Sequence, residues 1–277
     1  MSKRTTLYWT LHYLLLAGFL LFALFPLFWL LKVSLTPDEL LYGEGVRMWP
    51  SRITFAHYGW VLGHSPFLVY FRNSALVSGA TALLTTLLAC AAGYGFSRFA
   101  FRGKAVIIGL LLVTQMFPLM MIIAPLFEIL APLGLTNSLP GLVIVYTAFN
   151  VPFASFLMQS FFAGIPRELE EAALIDGADR LTALRTIVLP LTLPGLAATV
   201  GFVFTAAWSE LLFALMLTSS TGASTFPVGL LAFVSKFSVD FGQMMAAGVL
   251  ALLPICGFFL LIQRYLIQGL TAGALKG

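Results

Sequence analysis

The stretch Gly164-Ile-Pro-Arg-Glu-Leu-Glu-Glu-Ala-Ala-Leu-Ile-Asp-Gly177, continued by Ala-Asp-Arg-Leu-Thr-Ala-Leu-Arg-Thr-Ile187-Val-Leu-Pro190, gathers charge between two long apolar runs. Pro166 suits a first helical position, and Glu168, Glu170 and Glu171 load the first turn with the sign that a helix N-terminus favours. A short helix is predicted there. Gly177 can end it in the left-handed conformation, and Asp179 can cap a second short helix running to about Leu189, before Pro190. Leu169, Ala172 and Ala173 fall at helical spacing, as do Leu181, Leu184 and Val188, so each helix has an apolar stripe and a charged face. Such an element can rest on lipid headgroups or seat in a groove of another protein.

Around this stretch the chain is a membrane protein by composition. Of its 277 residues 60% are hydrophobic and only 9% charged, against roughly 45–50% and 25% in soluble domains. So few charges could not cover a soluble globule, whereas membrane helices need polar groups mainly at their ends. Six runs are long enough to cross a bilayer as helices, at about 12–31, 73–96, 105–130, 140–162, 193–217 and 244–262, in a single domain. None shows the alternation of barrel strands. The first run is too long for a removed signal peptide and lacks a small-residue cleavage site after it.

With the N-terminus inside, ten of the fifteen Lys and Arg residues fall in inner segments: Lys3, Arg4, Arg98, Arg102, Lys104, Arg167, Arg180, Arg185, Arg264 and Lys276. The outer segments hold Lys32, Arg47, Arg52, Arg72 and Lys236. That bias places both termini and the 166–191 loop in the cytoplasm. The outer segment from Lys32 to Arg72 carries Pro37, Gly43, Gly45, Pro50 and Pro66, which break a continuous helix, and Trp49, Tyr58, Trp60 and Tyr70, which suit an interfacial belt. Pro118, Pro125, Pro152 and Pro254 lie inside the spans or near their ends and are read mainly as kinks.

The net charge of +4 comes with no basic stripe interleaved with aromatics, so nucleic acid is not expected. Cys90 and Cys256 fall in apolar runs, as buried thiols do. No phosphate-binding loop occurs, because Gly103-Lys104 is followed by alanine and preceded by Arg98 where a glycine would stand. His12, His57 and His64 lack metal-ligand spacing, and no nucleophile elbow is present.

Glu171-Ala172-Ala173, three residues, Gly177, nine residues, Ile187, one residue, then Leu189-Pro190 resembles in full the EAA loop of permease subunits of ATP-binding-cassette (ABC) importers. The resemblance implies an all-α integral-membrane fold of six transmembrane helices with a cytoplasmic coupling helix, the type I importer permease. It implies that Glu171, Ala172, Ala173, Gly177, Ile187, Leu189 and Pro190 form the contact with an ATPase subunit. ATP and magnesium would then belong to two partner ATPase chains, with no cofactor on this one. The ending Gly269-Leu-Thr-Ala-Gly-Ala-Leu-Lys-Gly277 is similar to that of the shorter of the two maltose-type carbohydrate permeases, and Pro50 to Tyr58, Arg72-Asn-Ser74 and Arg98 to Gly103 fit the same family. The resemblance thus implies a bacterial or archaeal cytoplasmic membrane, a second homologous permease, an extracytoplasmic binding protein and a carbohydrate-type solute; with no cluster of Arg or Lys in the spans to compensate an anion, a neutral sugar or polyol is expected. A glycerol phosphate ester as solute, a homodimeric pore, and a membrane scaffold or receptor docking an ATPase are the alternatives.

Inside the spans, Glu210 needs an explanation, since ionisable groups in lipid are costly. Thr199, Ala206, Glu210, Phe213 and Leu217 share one stripe if the fifth span is a continuous helix. The carboxyl is then either neutral or paired, or part of a translocation pathway. In the fourth span Tyr146 and Asn150 lie on one face and Ser155 and Gln159 on nearly the opposite one. Tyr146, Asn150, Trp208 and Glu210 are the candidate solute-pathway residues, while Glu128 is close enough to a span end to reach water.

Overall fold

A computed structural model describes residues 3–43, 47–235 and 238–274. Gly45, Lys236, Lys276 and the last residues of the 269–277 ending lie outside them. In chain order the helices are α1 (Lys3–Ser34), α2 (Asp38–Leu41), α3 (Ala56–Gly63), α4 (Phe67–Arg98), α5 (Lys104–Met116), α6 (Leu119–Leu130), α7 (Leu139–Ala163), α8 (Glu168–Ile175), α9 (Arg180–Ala183), α10 (Leu189–Leu191), α11 (Leu193–Trp208), α12 (Leu212–Leu217), α13 (Phe226–Leu230) and α14 (Phe241–Ala274). The only strand-like feature among the described residues is one antiparallel bridge, Val234 to Val239.

Four helices are long and apolar enough to cross a membrane: Tyr8–Ser34 of α1, α4, α7 and Phe241–Tyr265 of α14. Two bent pairs bring the number to as many as six. The apolar run 105–130, expected as one helix, is two, with α5 and α6 meeting at 103°. Phe117, forced out of the helical region by the ring of Pro118, is extended at φ −71°, ψ 131°. Pro118 therefore breaks this helix where Pro125, Pro152 and Pro254 are carried inside theirs. The run 193–217 is also interrupted, α11 ending at Trp208 and α12 resuming at Leu212.

Packing divides the chain into two compact units: Met1–Leu68 with Leu230–Leu253, and Val69–Gly229 with Pro254–Gly277. In the first, the segment after α1 is fastened by local polar contacts. His57 Nε2 lies 2.9 Å from the Thr36 carbonyl, and the Ser34 hydroxyl 2.7 Å from that of Tyr58. Lys32, read as the start of an outer segment, is in the last turn of α1 and buried, with its ammonium 4.7 Å from the centre of the Trp29 ring. Cationic charge over an aromatic face is one way to keep a buried lysine.

In the second unit α7 is the central post, with buried residues from Gly141 to Phe162. One apolar cluster joins Val77, Leu130, Leu142, Tyr146, Phe213 and Leu217. A second joins Ala82, Ala89, Met158, Phe162, Val188 and Val203. Between membrane helices lipid supplies no hydrophobic drive, so close backbone approach through small residues does the work. Gly93 makes that concrete: a Cβ there would stand 2.8 Å from Met158 Cβ and 2.7 Å from the Gln159 backbone nitrogen. Gly93→Val is expected to force α4 and α7 apart and to cost about 1–3 kcal/mol of overpacking, read as a lower midpoint of thermal unfolding in detergent. Cys256, expected to be buried, is exposed on α14, while Cys90 is half-buried.

Candidate functional site

The 166–191 segment folds by local rules. Helix α8 starts at Glu168 rather than at Pro166, with Arg167 as its preceding residue, so the three glutamates still fill the first turn. It ends on Gly177 at φ +89°. The Gly177 N–H donates to the Leu174 carbonyl at 3.2 Å and the Ala178 N–H to the Ala173 carbonyl at 3.0 Å, the paired bonds of a Schellman ending. The Asp179 carboxylate accepts from the Thr182 N–H at 2.8 Å and caps α9. Those Thr182 hydrogen bonds, side-chain first, hold its carboxyl below the usual aspartate range.

The second helix does not stop before Pro190. Residues Leu184–Val188 form a wider π-type turn, in which the Leu189 N–H reaches the Leu184 carbonyl, and helical backbone continues to Leu191. Adding a residue to the turn lets a proline, which has no N–H to donate, sit in the path of the helix. The expected apolar stripes are split. Ala173, Ala183 and Val188 turn inward, whereas Leu169, Leu174, Leu181 and above all Ile175, at 85% exposure, face outward. Of the seven motif positions, Glu171, Ala172, Gly177 and Pro190 are exposed, Ile187 and Leu189 half-buried and Ala173 buried.

What fixes the segment to the bundle was missed in the sequence. Glu170, next to the exposed Glu171, points inward and pairs with the Nε of Arg98 at the end of α4, with side-chain exposures of 6% for Arg98 and 12% for Glu170. The Tyr94 hydroxyl donates to the other Glu170 oxygen at 2.9 Å. Arg98 Nη2 donates to the Ile165 carbonyl at 3.0 Å, and Arg167 Nη2 to that of Ser97 at 3.0 Å. The Arg180 guanidinium lies 5.2 Å from the centre of the Phe99 ring. Glu170 and Arg98 are 72 residues apart, so no local spacing could announce the pair.

Glu210 is not on a continuing helical stripe. It sits in the break between α11 and α12, and its carboxylate accepts from the N–H groups of Phe213 at 2.9 Å and Ala214 at 3.1 Å. The Tyr146 hydroxyl donates to it at 2.6 Å. In lipid a helix break must satisfy its own backbone donors, and this carboxylate does so. Asn150 donates to the Tyr146 carbonyl at 2.8 Å, so Tyr146, Asn150 and Glu210 form one group. Trp208 stands apart from it, buried, stacked on Phe226 at 5.8 Å and edge-on to Phe71 at 5.4 Å. Ser155, opposite on α7, is buried and donates to its own helix at Val151. A cleft of about 910 Å³ under the α5–α6 bend is lined by apolar residues including Leu84, Leu111, Ile144 and Pro152, and by none of the four pathway candidates.

The sequence profile of the family described as "Binding-protein-dependent transport system inner membrane component" matches residues 85–272, a span that holds α8, the Glu170 pair and Glu210. The chain belongs to that family. This permease is 35% identical over 279 residues to the trehalose transport system permease protein SugB of Mycobacterium tuberculosis (strain CDC 1551 / Oshkosh), with 100% of both chains covered. It is 37% identical to the trehalose/maltose transport system permease protein MalG of Thermococcus litoralis (strain ATCC 51850 / DSM 5473 / JCM 8560 / NS-C), over 95% of this chain and 96% of that one. The sulfoquinovosyl glycerol transport system permease protein SmoH of Agrobacterium fabrum (strain C58 / ATCC 33970) is 35% identical, over 92% and 89%. Among solved structures, a chain of a bacterial ABC transporter involved in the import of the acidic polysaccharide alginate superposes with a TM-score of 0.80 at 24% identity, covering 96% of this permease and 98% of that chain. The fold is therefore that of a type I ABC importer permease, an all-α membrane protein.

Proposed function

We propose that this permease moves a neutral sugar or polyol, delivered by an extracytoplasmic binding protein, and that ATP hydrolysis on two separate ATPase chains drives it. The observation that carries the reading is the 168–191 segment, a capped pair of short helices presenting Glu171, Ala172, Gly177, Ile175 and Leu181 outward. An exposed helix with apolar anchors beside charges is what a cleft on a second protein takes up. Its orientation toward the cytoplasm rests on the distribution of Lys and Arg, which also puts both termini there. ATP and magnesium belong in this reading to the ATPase chains. The pore is completed by a second, longer homologous permease, and Tyr146, Asn150, Trp208 and Glu210 are the candidates for the solute path.

The sugar assignment draws on relatives named for trehalose and for trehalose and maltose. An anionic sugar is the second reading, favoured by the relative named for sulfoquinovosyl glycerol. Co-purification with the ATPase, followed by ATP hydrolysis in liposomes with and without the binding protein, tests the transport reading; activity that needs no ATPase partner would sink it. Calorimetric titration of the binding protein against sugars, polyols and phosphate esters tests the solute, and tight binding of anionic esters alone would overturn the neutral assignment. Mass measurement of the intact complex distinguishes two different permeases from two copies of one.

A further inference from the structure

Segment 168–191 touches the rest of its unit through few polar contacts, and one cluster holds most of them. Arg98 ends α4, and its guanidinium reaches Glu170 on α8 and the Ile165 carbonyl in the turn after α7. Tyr94, one helical turn earlier on α4, holds the second oxygen of the same carboxylate. A planar guanidinium that bonds two groups at once fixes direction as well as distance, which an ammonium does not. A nearly buried pair of this kind, with every oxygen engaged, has one geometry rather than several.

We propose that Arg98, with Glu170 and Tyr94, is a positioning clamp that makes α8 a rigid extension of α4, so that displacement of the segment by a docked partner is delivered to the second span instead of being absorbed in the loop. The proposal rests on the segment being a docking element, and it separates the two adjacent carboxylates by task. Glu171 faces the partner; Glu170 faces inward and ties the segment down.

The test uses the purified full-length permease, with spin labels at exposed Ala100 and Glu168, and then the same protein assembled with its ATPase chains. The unmodified protein is expected to give one narrow distance distribution. Glu170→Gln and Arg98→Ala broaden it, Arg98→Lys is intermediate because the second bond to Ile165 is lost, and the exchange Arg98→Glu with Glu170→Arg narrows it again. In the assembled complex Glu170→Gln keeps the ATPase bound but cuts the stimulation of ATP hydrolysis by the binding protein at least about fivefold. Tyr94→Phe, which removes a single hydrogen bond, gives a smaller fall and decides the matter if Glu170→Gln lowers membrane abundance. Unchanged distances in the clamp variants, or unchanged stimulation, would overturn the clamp. Loss of ATPase binding in Glu170→Gln would also overturn it, by showing that the residue serves docking. If the unmodified complex shows no stimulation at all, the transport reading fails, and the distance measurement still judges the clamp.

Discussion

Glu171→Lys is expected to reduce solute uptake at least about tenfold while membrane abundance stays normal, since reversing a charge at an interface costs several kcal/mol and 1.4 kcal/mol is already a factor of ten. The residue is exposed, so the change leaves the packing of the six spans alone. Gly177→Asp should act as strongly for a compound reason. At φ +89° a side chain is strained, although a Cβ there meets nothing within 4 Å. Left-handed backbone costs most non-glycine residues about 1–2 kcal/mol, and less for Asp and Asn, whose short side chains bond locally, so the charge that aspartate adds to the exposed turn is the larger part. Gly177→Asn, with similar strain and no charge, separates the two contributions. Uptake, ATPase retention and membrane abundance are measured together, and normal uptake in Glu171→Lys would remove the segment from the coupling path.

The second large effect is expected at Glu210. Glu210→Ala strips the acceptor from the N–H groups of Phe213 and Ala214 and from the buried Tyr146 hydroxyl. Unsatisfied groups of this kind cost about 1–3 kcal/mol each, so α12 should lose its defined start and uptake should fall at least about tenfold. Glu128, exposed near the end of α6, is the control: Glu128→Ala should change uptake by less than about twofold. Glu210→Gln keeps one acceptor oxygen and should lie between. Thermal unfolding in detergent distinguishes loss of the cap from loss of a solute contact, because only the former lowers the midpoint. An alanine variant with normal stability and no uptake would return Glu210 to a direct role in the path.

The contrast between these two sites shows what a sequence can disclose. The 166–191 segment was legible because its devices are local: a glycine at the turn, an aspartate cap, glutamates in a first turn. The apolar runs were legible because lipid forbids polar surface over some twenty residues. The break at 209–211 was not. Thr205-Ala-Ala-Trp-Ser-Glu-Leu-Leu212 contains no proline or glycine, and the interruption is stabilised by a tyrosine 64 residues away in sequence. At 117–118 the proline was visible, but a kinked helix and a 103° bend carry the same local signature. The motif singles out Glu171, but local spacing gives Glu170 only a first-turn charge; that Glu170 turns inward is decided by Arg98, on another helix.

The burial of that pair has a consequence for ionic strength. Exposed partners such as Arg52 and Glu39, with side chains 65% and 80% accessible, are screened by salt. At 1 M the Debye length falls to about 3 Å, while partly buried charges with little water between them feel far less of it. Arg98 and Glu170, at 6% and 12%, belong to the second kind. A high-salt wash strong enough to strip off a protein held by exposed charges would therefore leave the 168–191 segment in its bound-ready shape, and rebinding on dilution would proceed at the pace of diffusion and steering rather than of refolding.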